Sequence, residues 1–293
     1  MAYSVFQKLQ GKYFGMIGGR AHQWHGTSLI AGRKIILSFD CDTEKDFEVV
    51  LPLDEWLKRR NIPTVYAVPG ELLEKGISYY RQLSQSGSEF INHGYKSHSY
   101  FSKGNYYSSL FYHELGPEDI RNDILQGHQC IVRLLGTEPQ GFRTPHFGAF
   151  QNPVQLGLLY SILKELNYTF SSSTVPLKYF TSGIPYTAPH GIIEFPVTGC
   201  FDYPLAILDS FSFRFAKGRT FEPEEYAVQF KKTIDCYIQS KKNIVLNYYA
   251  DPSQVYDFDE FYRSMEYALL NGFEFVTFRS IVSQMQSDQN PSI

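Results

Sequence analysis

The sequence predicts an α/β fold, a single distorted (β/α) barrel of about seven strands, and three observations carry that expectation. Apolar runs of strand length recur from residue 34 onward, each followed by a segment of helical period. No composition break, internal repeat or linker divides the 293 residues. The polar residues suited to chemistry fall just beyond the apolar runs, where the C-terminal ends of barrel strands would place them.

Taken in order, residues 1–32 read as an irregular lead-in, with Gly11, Gly15, Gly18, Gly19, Gly26 and Gly32 among polar residues. No strand precedes Gly15-x-x-Gly18-Gly19, so it is no dinucleotide fingerprint. The barrel is expected over residues 33–287, with a short tail at 288–293. Lys34 to Asp40 is the first strand and 53–60 the first helix. Strand 63–68, helix 77–85 and strand 89–92 follow. Residues 118–135 form a helix stopped by Gly136, then strand 140–143 and a helix near 154–166. Strands near 168–170 and 192–197 precede a long helix over 223–239. Strand 243–248, helix 258–270, strand 274–278 and a helix from Arg279 close the chain. Such alternation implies parallel strands joined by crossover helices.

Charge and composition exclude several roles. The balance of 27 Lys+Arg against 30 Asp+Glu gives a net charge of −3 and no basic stretch suited to nucleic acid. No signal-peptide pattern opens the chain and no apolar run reaches the roughly 18 residues of a membrane span, so a cytoplasmic protein is expected. Cys41, Cys130, Cys200 and Cys236 lie far apart without a Cys-x-x-Cys, which indicates reduced thiols rather than a zinc knuckle or a disulfide framework. The 22 Tyr and 24 Phe either fill a strand-rich core or stack on sugar faces.

The first strand ends in Asp40-Cys41-Asp42, which projects two carboxylates to one face. Like-charge repulsion between them is relieved by a cation or a shared proton, so the pair is a candidate metal or acid–base site; the alternative is a turn in which they cap backbone N–H groups. Asn92, His93 and His98 follow the third strand, and Arg143, Thr144, Pro145 and His146 the fourth. One carboxylate plus two imidazoles leaves open positions on a zinc-like ion, the layout of a catalytic centre. On a regular helix, residues five apart diverge by about 140°, so His93 and His98 can share an ion only if a bulge or loop intervenes; Gly94 permits one.

Ser38-Phe39-Asp40-Cys41-Asp42, Asn92-His93-Gly94-Tyr95-Lys96-Ser97-His98 and Phe142-Arg143-Thr144-Pro145-His146, in this order, resemble the first three motifs of the polysaccharide deacetylases, the NodB-homology enzymes of carbohydrate esterase family 4. The resemblance spans about residues 33–280. It implies a NodB-like barrel that uses a divalent metal ion, zinc first, to remove an N-acetyl group from an amino sugar or glycan. It implies Asp40 as general base, Asp42, His93 and His98 as metal ligands, and Arg143 as the group that orients Asp40.

The chain departs from the family pattern in its histidine spacing and in two later places. The late strand, which in the family ends in a histidine acting as general acid, here reads Leu246-Asn-Tyr-Tyr-Ala-Asp251. The motif that would supply an orienting Asp reads Phe170-Ser-Ser-Ser173. His146, His190, Asp251 and Tyr249 are the candidate replacement donors, with His146 and Asp251 placed among the catalytic residues. The aromatic stretch 95–113 has no clean period and reads as a loop or lid that either grips a sugar or forms a contact between copies of the chain. Two rival functions stand beside deacetylation: hydrolysis of another non-peptide C–N bond, and an inactive protein that binds glycan or a partner.

Overall fold

The computed structural model describes residue 28, residues 30–216 and residues 221–289. The lead-in expected over residues 1–32 therefore lies almost wholly outside the described residues, as does the tail from residue 290.

The chain runs β1 (Arg33–Asp40), α1 (Glu44–Lys58), β2 (Val65–Val68), α2 (Gly70–Lys75), α3 (Ile77–Gln85) and β3 (Glu89–Asn92). A small hairpin, β4 (Ser99–Ser102) and β5 (Asn105–Ser108), comes next. Then come α4 (Pro117–Leu135), β6 (Gly141–Phe142), α5 (Pro153–Glu165), β7 (Phe170–Ser171), α6 (Pro176–Ser182), β8 (Tyr186–Thr187) and β9 (Ile193–Glu194). The last part comprises α7 (Ser210–Arg214), α8 (Glu225–Ser240), β10 (Ile244–Ala250), α9 (Pro252–Val255), α10 (Asp259–Leu270), β11 (Glu274–Val276) and α11 (Phe278–Gln289).

Seven parallel strands follow the order β10-β1-β2-β3-β6-β7-β9, which agrees with the expected barrel. Antiparallel β8 extends the β9 edge, and β11 pairs with the start of β1. The curl is completed without a ladder. Backbone N–H of Thr198 donates to the carbonyl of Asn247 at 2.8 Å, and Asn247 Nδ2 donates to the carbonyls of Phe195 and Pro196 at 2.9 and 3.3 Å. This irregular seam between β10 and the stretch after β9 is what distorts the barrel.

The first strand is buried along six of its eight residues because it lies at the sheet centre with ladders on both sides. Helix α1 begins nine residues before the expected 53–60. Thr43 and Asp46 form a capping box that starts it, and Pro52 sits on its exposed side. There the carbonyl left without an N–H partner can be hydrated, so the proline is tolerated within the helix. Val50, Leu53 and Leu57 bury one stripe of the same helix against the sheet. A large apolar core fills the space between sheet and helices, and a second cluster packs Ile120, Ile124, Phe142, Leu159 and Leu163 between α4, α5 and β6. All four cysteines are free and buried.

The aromatic stretch between β3 and α4 is a correction to the expected loop. It folds into an antiparallel hairpin with Tyr100 opposite Tyr107 and Phe101 opposite Tyr106. Its turn, Lys103-Gly104, has positive φ at both residues, which matches the twist of a two-residue hairpin. At four residues, each strand is too short for its period to stand out from the surrounding tyrosines.

Candidate metal centre and catalytic rim

The barrel gathers its polar side chains at the C-terminal end of β1, β3, β6 and β10. Period two along β1 sends Ser38 and Asp40 inward, and the same period along β10 sends Asn247, Tyr249 and Asp251 to the facing wall; Ser38 lies opposite Tyr249. Arg143, one residue beyond β6, is fully buried between them. Its Nη1 donates to Asp40 Oδ1 at 2.5 Å, its Nη2 to Ser38 Oγ and Ser172 Oγ at 2.8 and 3.0 Å, and its Nε to the Ser172 carbonyl at 3.3 Å. A guanidinium with this many acceptors, none exposed, fixes Asp40 in one orientation.

The Ser172 anchor has a support of its own. Glu194, fully buried on β9, accepts the backbone N–H groups of Ser173 and Thr174 at 2.8 and 2.9 Å and the Thr174 hydroxyl at 3.0 Å. Burial pushes this carboxyl above its usual range while these bonds pull it back. Asn247 Nδ2 donates to Ser172 Oγ at 3.0 Å from the other side. The Ser171–Ser173 run, which lacks a carboxylate in sequence, is thus served by one from the neighbouring strand.

Asp42, His93 and His98 converge: their ligand atoms all lie within 4.8 Å of one another. Asp42 Oδ1 is 3.3 Å from His93 Nε2 and 3.0 Å from His98 Nε2. The His93 Nδ1–H donates to the Arg143 carbonyl at 2.8 Å, which fixes the tautomer and leaves Nε2 with its lone pair. That Nε2 is buried and has no hydrogen-bond partner. An orphaned buried nitrogen beside a carboxylate and a second imidazole is what a bound cation would satisfy, so the residues present fit a metal. The imidazoles also hold Asp42 well below the usual carboxylate range, against the opposing effect of burial.

The five-residue histidine spacing is accommodated by a loop whose backbone is clamped on both sides. The carbonyls of Gly94 and Tyr95 accept the first N–H groups of α2, from Gly70 and Glu71, at 3.0 and 2.9 Å. The N–H of Lys96 donates to Asp123 and that of Ser97 to Glu71, at 2.9 and 2.7 Å. Asn92 Oδ1 accepts the Gly94 N–H at 3.0 Å, and Asn92 Nδ2 reaches the Ile124 carbonyl on α4 at 2.8 Å. Gly94 has φ +79°, and a Cβ there would lie 2.3 Å from Asp123 Oδ2. Gly127 on α4 faces the same loop, with space for a Cβ denied by Asn92 Oδ1 at 2.4 Å. Only this close approach of α4 lets both histidines turn inward.

The remaining candidates occupy the rim in different ways. His146, at φ +56°, donates Nε2–H to the His98 carbonyl at 3.1 Å, and burial pushes its pKa down to about 4. Asp251 is buried at the end of β10; its N–H donates to Ser210 Oγ at 3.1 Å and Ser210 Oγ lies 3.4 Å from its Oδ2. Burial first, then the nearby carboxylates Asp42, Asp46, Asp40 and Asp209, raise its pKa well above the usual value. The Tyr249 ring packs on Phe147 at 4.7 Å, and the Arg143 guanidinium lies 5.5 Å from its centroid. His190 lies on an exposed turn between β8 and β9 and outside this cluster.

Sequence reasoning missed the supporting shell: Glu71, Asp123, Ser172, Glu194, Asn247 and Asp46. Glu194 carried a usable signal, a lone carboxylate inside an apolar strand, which must be buried with partners.

A parallel α/β barrel with these groups at its strand ends is a NodB-like barrel. Residues 31–170 match the sequence model of the polysaccharide deacetylase family. Among curated proteins none matches the sequence. Among solved structures, a probable polysaccharide deacetylase from Pseudomonas aeruginosa PAO1 superposes with a TM-score of 0.65 at 14% identity, covering 89% of this chain and 92% of its own. An allantoinase gives 0.65 at 13% identity with the same coverages, 89% and 92%. A carbohydrate esterase family 4 pseudoenzyme from Bacillus anthracis gives 0.51 at 9%, covering 86% of this chain and 66% of its own. At these identities the likeness is one of fold.

Proposed function

We propose that this protein is a metal-dependent hydrolase that removes an N-acetyl group from an amino sugar or glycan precursor in surface-polysaccharide metabolism. The observation that carries the reading is the pairing of two preorganised groups on one rim, the Asp42–His93–His98 ligand set and the Arg143-held Asp40. A divalent cation, zinc first for a donor set rich in imidazole, would be held by Asp42, His93 and His98 and would polarise the amide carbonyl.

The chain's own residues account for the protons. Asp40 takes one from the attacking water, with Arg143 preventing its carboxylate from turning away. Asp251, whose buried carboxyl favours the protonated form, returns one to the departing amine as the C–N bond breaks. His146 fits this donor role less well, because its Nε2–H is committed to the His98 carbonyl; it acts instead by fixing the histidine loop. The four buried free thiols support a reducing, cytoplasmic setting and hence a precursor substrate. No described helix is long and apolar enough to cross a membrane.

Two further readings have observations of their own. The fold is shared with an allantoinase, which keeps a second non-peptide amide within reach of the same site. The β10 rim carries no histidine, and a pseudoenzyme shares the fold, which favours a glycan-binding protein without turnover.

The test is metal content by elemental mass spectrometry on protein purified without chelators, beside Asp42→Ala, followed by acetate release from N-acetylated sugars. Near-stoichiometric metal lost in the variant, with acetate released by the wild type, is expected. Metal-free protein even after incubation with zinc would leave the glycan-binding reading in its place.

A further inference from the structure

The Arg143 guanidinium is held from β1 by Asp40 and Ser38, and from beyond β7 by a short segment, residues 172–174. That segment touches the Arg143 turn at three points. The Ser172 carbonyl and Oγ accept guanidinium N–H groups, and Ser173 Oγ accepts the Thr144 N–H at 3.0 Å. The Arg143 carbonyl in turn accepts His93 Nδ1–H, so the placement of this one residue bears on both Asp40 and His93.

A side chain, more than the sheet, places the segment. The β7–β9 pairing sets Phe170 opposite Ile193 and Ser171 opposite Glu194. The Ser172 N–H still donates to the Phe142 carbonyl on β6 at 2.9 Å, but the next two N–H groups, of Ser173 and Thr174, turn to Glu194 Oε1. The other oxygen, Oε2, accepts the Tyr160 hydroxyl from α5 at 3.3 Å. One peptide unit is then bonded at both ends. Its N–H, that of Ser173, donates to Glu194 at 2.8 Å, and its C=O, that of Ser172, accepts Arg143 Nε at 3.3 Å. The N–H and C=O of a trans peptide point in opposite directions, so carboxylate and guanidinium grip one rigid plane from its two sides. Both side chains are fully buried, and a turn of that plane would leave polar groups at each end unpaired in a dry interior.

We propose that Glu194 is a positioning residue: through the Ser172–Ser173 peptide it fixes Arg143, and through Arg143 it fixes Asp40. Reach, rather than charge, does this. Burial already raises the Glu194 pKa, so a neutral amide of the same length suits the site. Its oxygen can accept the Ser173 and Thr174 donors while its NH2 donates to the Tyr160 hydroxyl. A methyl group in place of the carboxylate leaves two buried N–H groups without an acceptor and frees the peptide to turn. The consequence for turnover rests on the hydrolase reading of the proposed function; the placement of Arg143 does not.

The Arg143 Nε–H proton reports that placement directly. Heteronuclear NMR identifies its signal by its absence from Arg143→Lys, and its solvent exchange is compared with that of the Leu37 amide on β1. Glu194→Ala is expected to raise the ratio of the Nε–H rate to the Leu37 rate about tenfold, and Glu194→Gln to bring it back. A role confined to overall stability would speed both protons together and leave the ratio unchanged. Should Glu194→Ala not fold, Glu194→Asp, which keeps the charge but draws the oxygens back from the segment, is expected to raise the ratio in the same way. In acetate release from tri-N-acetylchitotriose, Glu194→Ala should lower kcat about 10–10²-fold with KM unchanged, and Glu194→Gln should recover most of it. An unchanged exchange ratio overturns the hold on Arg143. No acetate release by the wild-type chain, with the ratio raised in the variant, sinks the hydrolase reading and leaves that hold standing; acetate release by Glu194→Ala at the wild-type rate does the reverse.

Discussion

The two sides of the rim treat their carboxylates in opposite ways. On the β1–β3–β6 side, Asp40 has a buried guanidinium and Asp42 two imidazoles, and the loop bearing those imidazoles is held by side chains and helix N–H groups from α2 and α4. On the β10–α7 side, Asp251 and Asp209 are buried among other acids and hydroxyls, with Ser210 Oγ beside Asp251 and Ser212 on Asp209. The imidazoles of the first side hold Asp42 below the usual carboxylate range, whereas burial on the second side raises Asp251 and Asp209 above it. In the proposed reaction, such different neighbours would let one half of the rim accept a proton and the other deliver one.

The comparison is sharpest in catalysis. Asp40→Asn should lower turnover of an N-acetylated sugar by about 10²–10⁴-fold with metal content unchanged, and Asp251→Asn should do likewise while also removing the alkaline limb of the pH–rate profile. An unaltered alkaline limb in Asp251→Asn would break the division of roles. Next in size, Arg143→Ala leaves Asp40 buried without its cation and should cost about 3–5 kcal/mol in denaturant unfolding. Gly94→Ala comes third. Its positive φ and the crowding against Asp123 should cost about 1–3 kcal/mol and weaken metal uptake, whereas Gly104→Ala on the hairpin should leave metal uptake untouched.

The smallest effect concerns pH. Burial pushes Asp209 up to about 6, above its unfolded value of about 4. The native state therefore holds this proton more tightly, and the stability so contributed is full below pH 4 and lost as pH rises through 6. Asp209→Asn should flatten the stability profile in that window by an amount on the order of 1–2 kcal/mol, measured by urea unfolding at stepped pH. A profile as steep as the wild type's would assign the slope to other groups.

Much of the β1–β3–β6 side was legible in the sequence, because strand periodicity places Asp40 and Asp42 and the Arg143-x-Pro145 turn follows a short apolar strand. What the sequence could not show was how residues distant in the chain complete that side. Asp123 and Glu71 hold the histidine loop from two different helices, so no local spacing announces them. The hairpin hid for another reason: its alternation lasts four residues per strand and both faces are aromatic, so the period-two signal is weak. Asp251 was visible only as what stands where a histidine was expected.

The seam beside β10 carries a consequence for motion. Each inner amide of β1 is enclosed by ladders, but β10 meets Phe195–Thr198 through the Thr198 amide, the Thr198 hydroxyl and the Asn247 side chain. Few bonds must break for the barrel to part there, so sub-global opening should start at this edge and admit solvent to Ser172 and Arg143 from behind. Native-state hydrogen exchange would then find the amides of Thr198 and Asn247 exchanging well before that of Leu37, making the seam a slow breathing line of the catalytic wall.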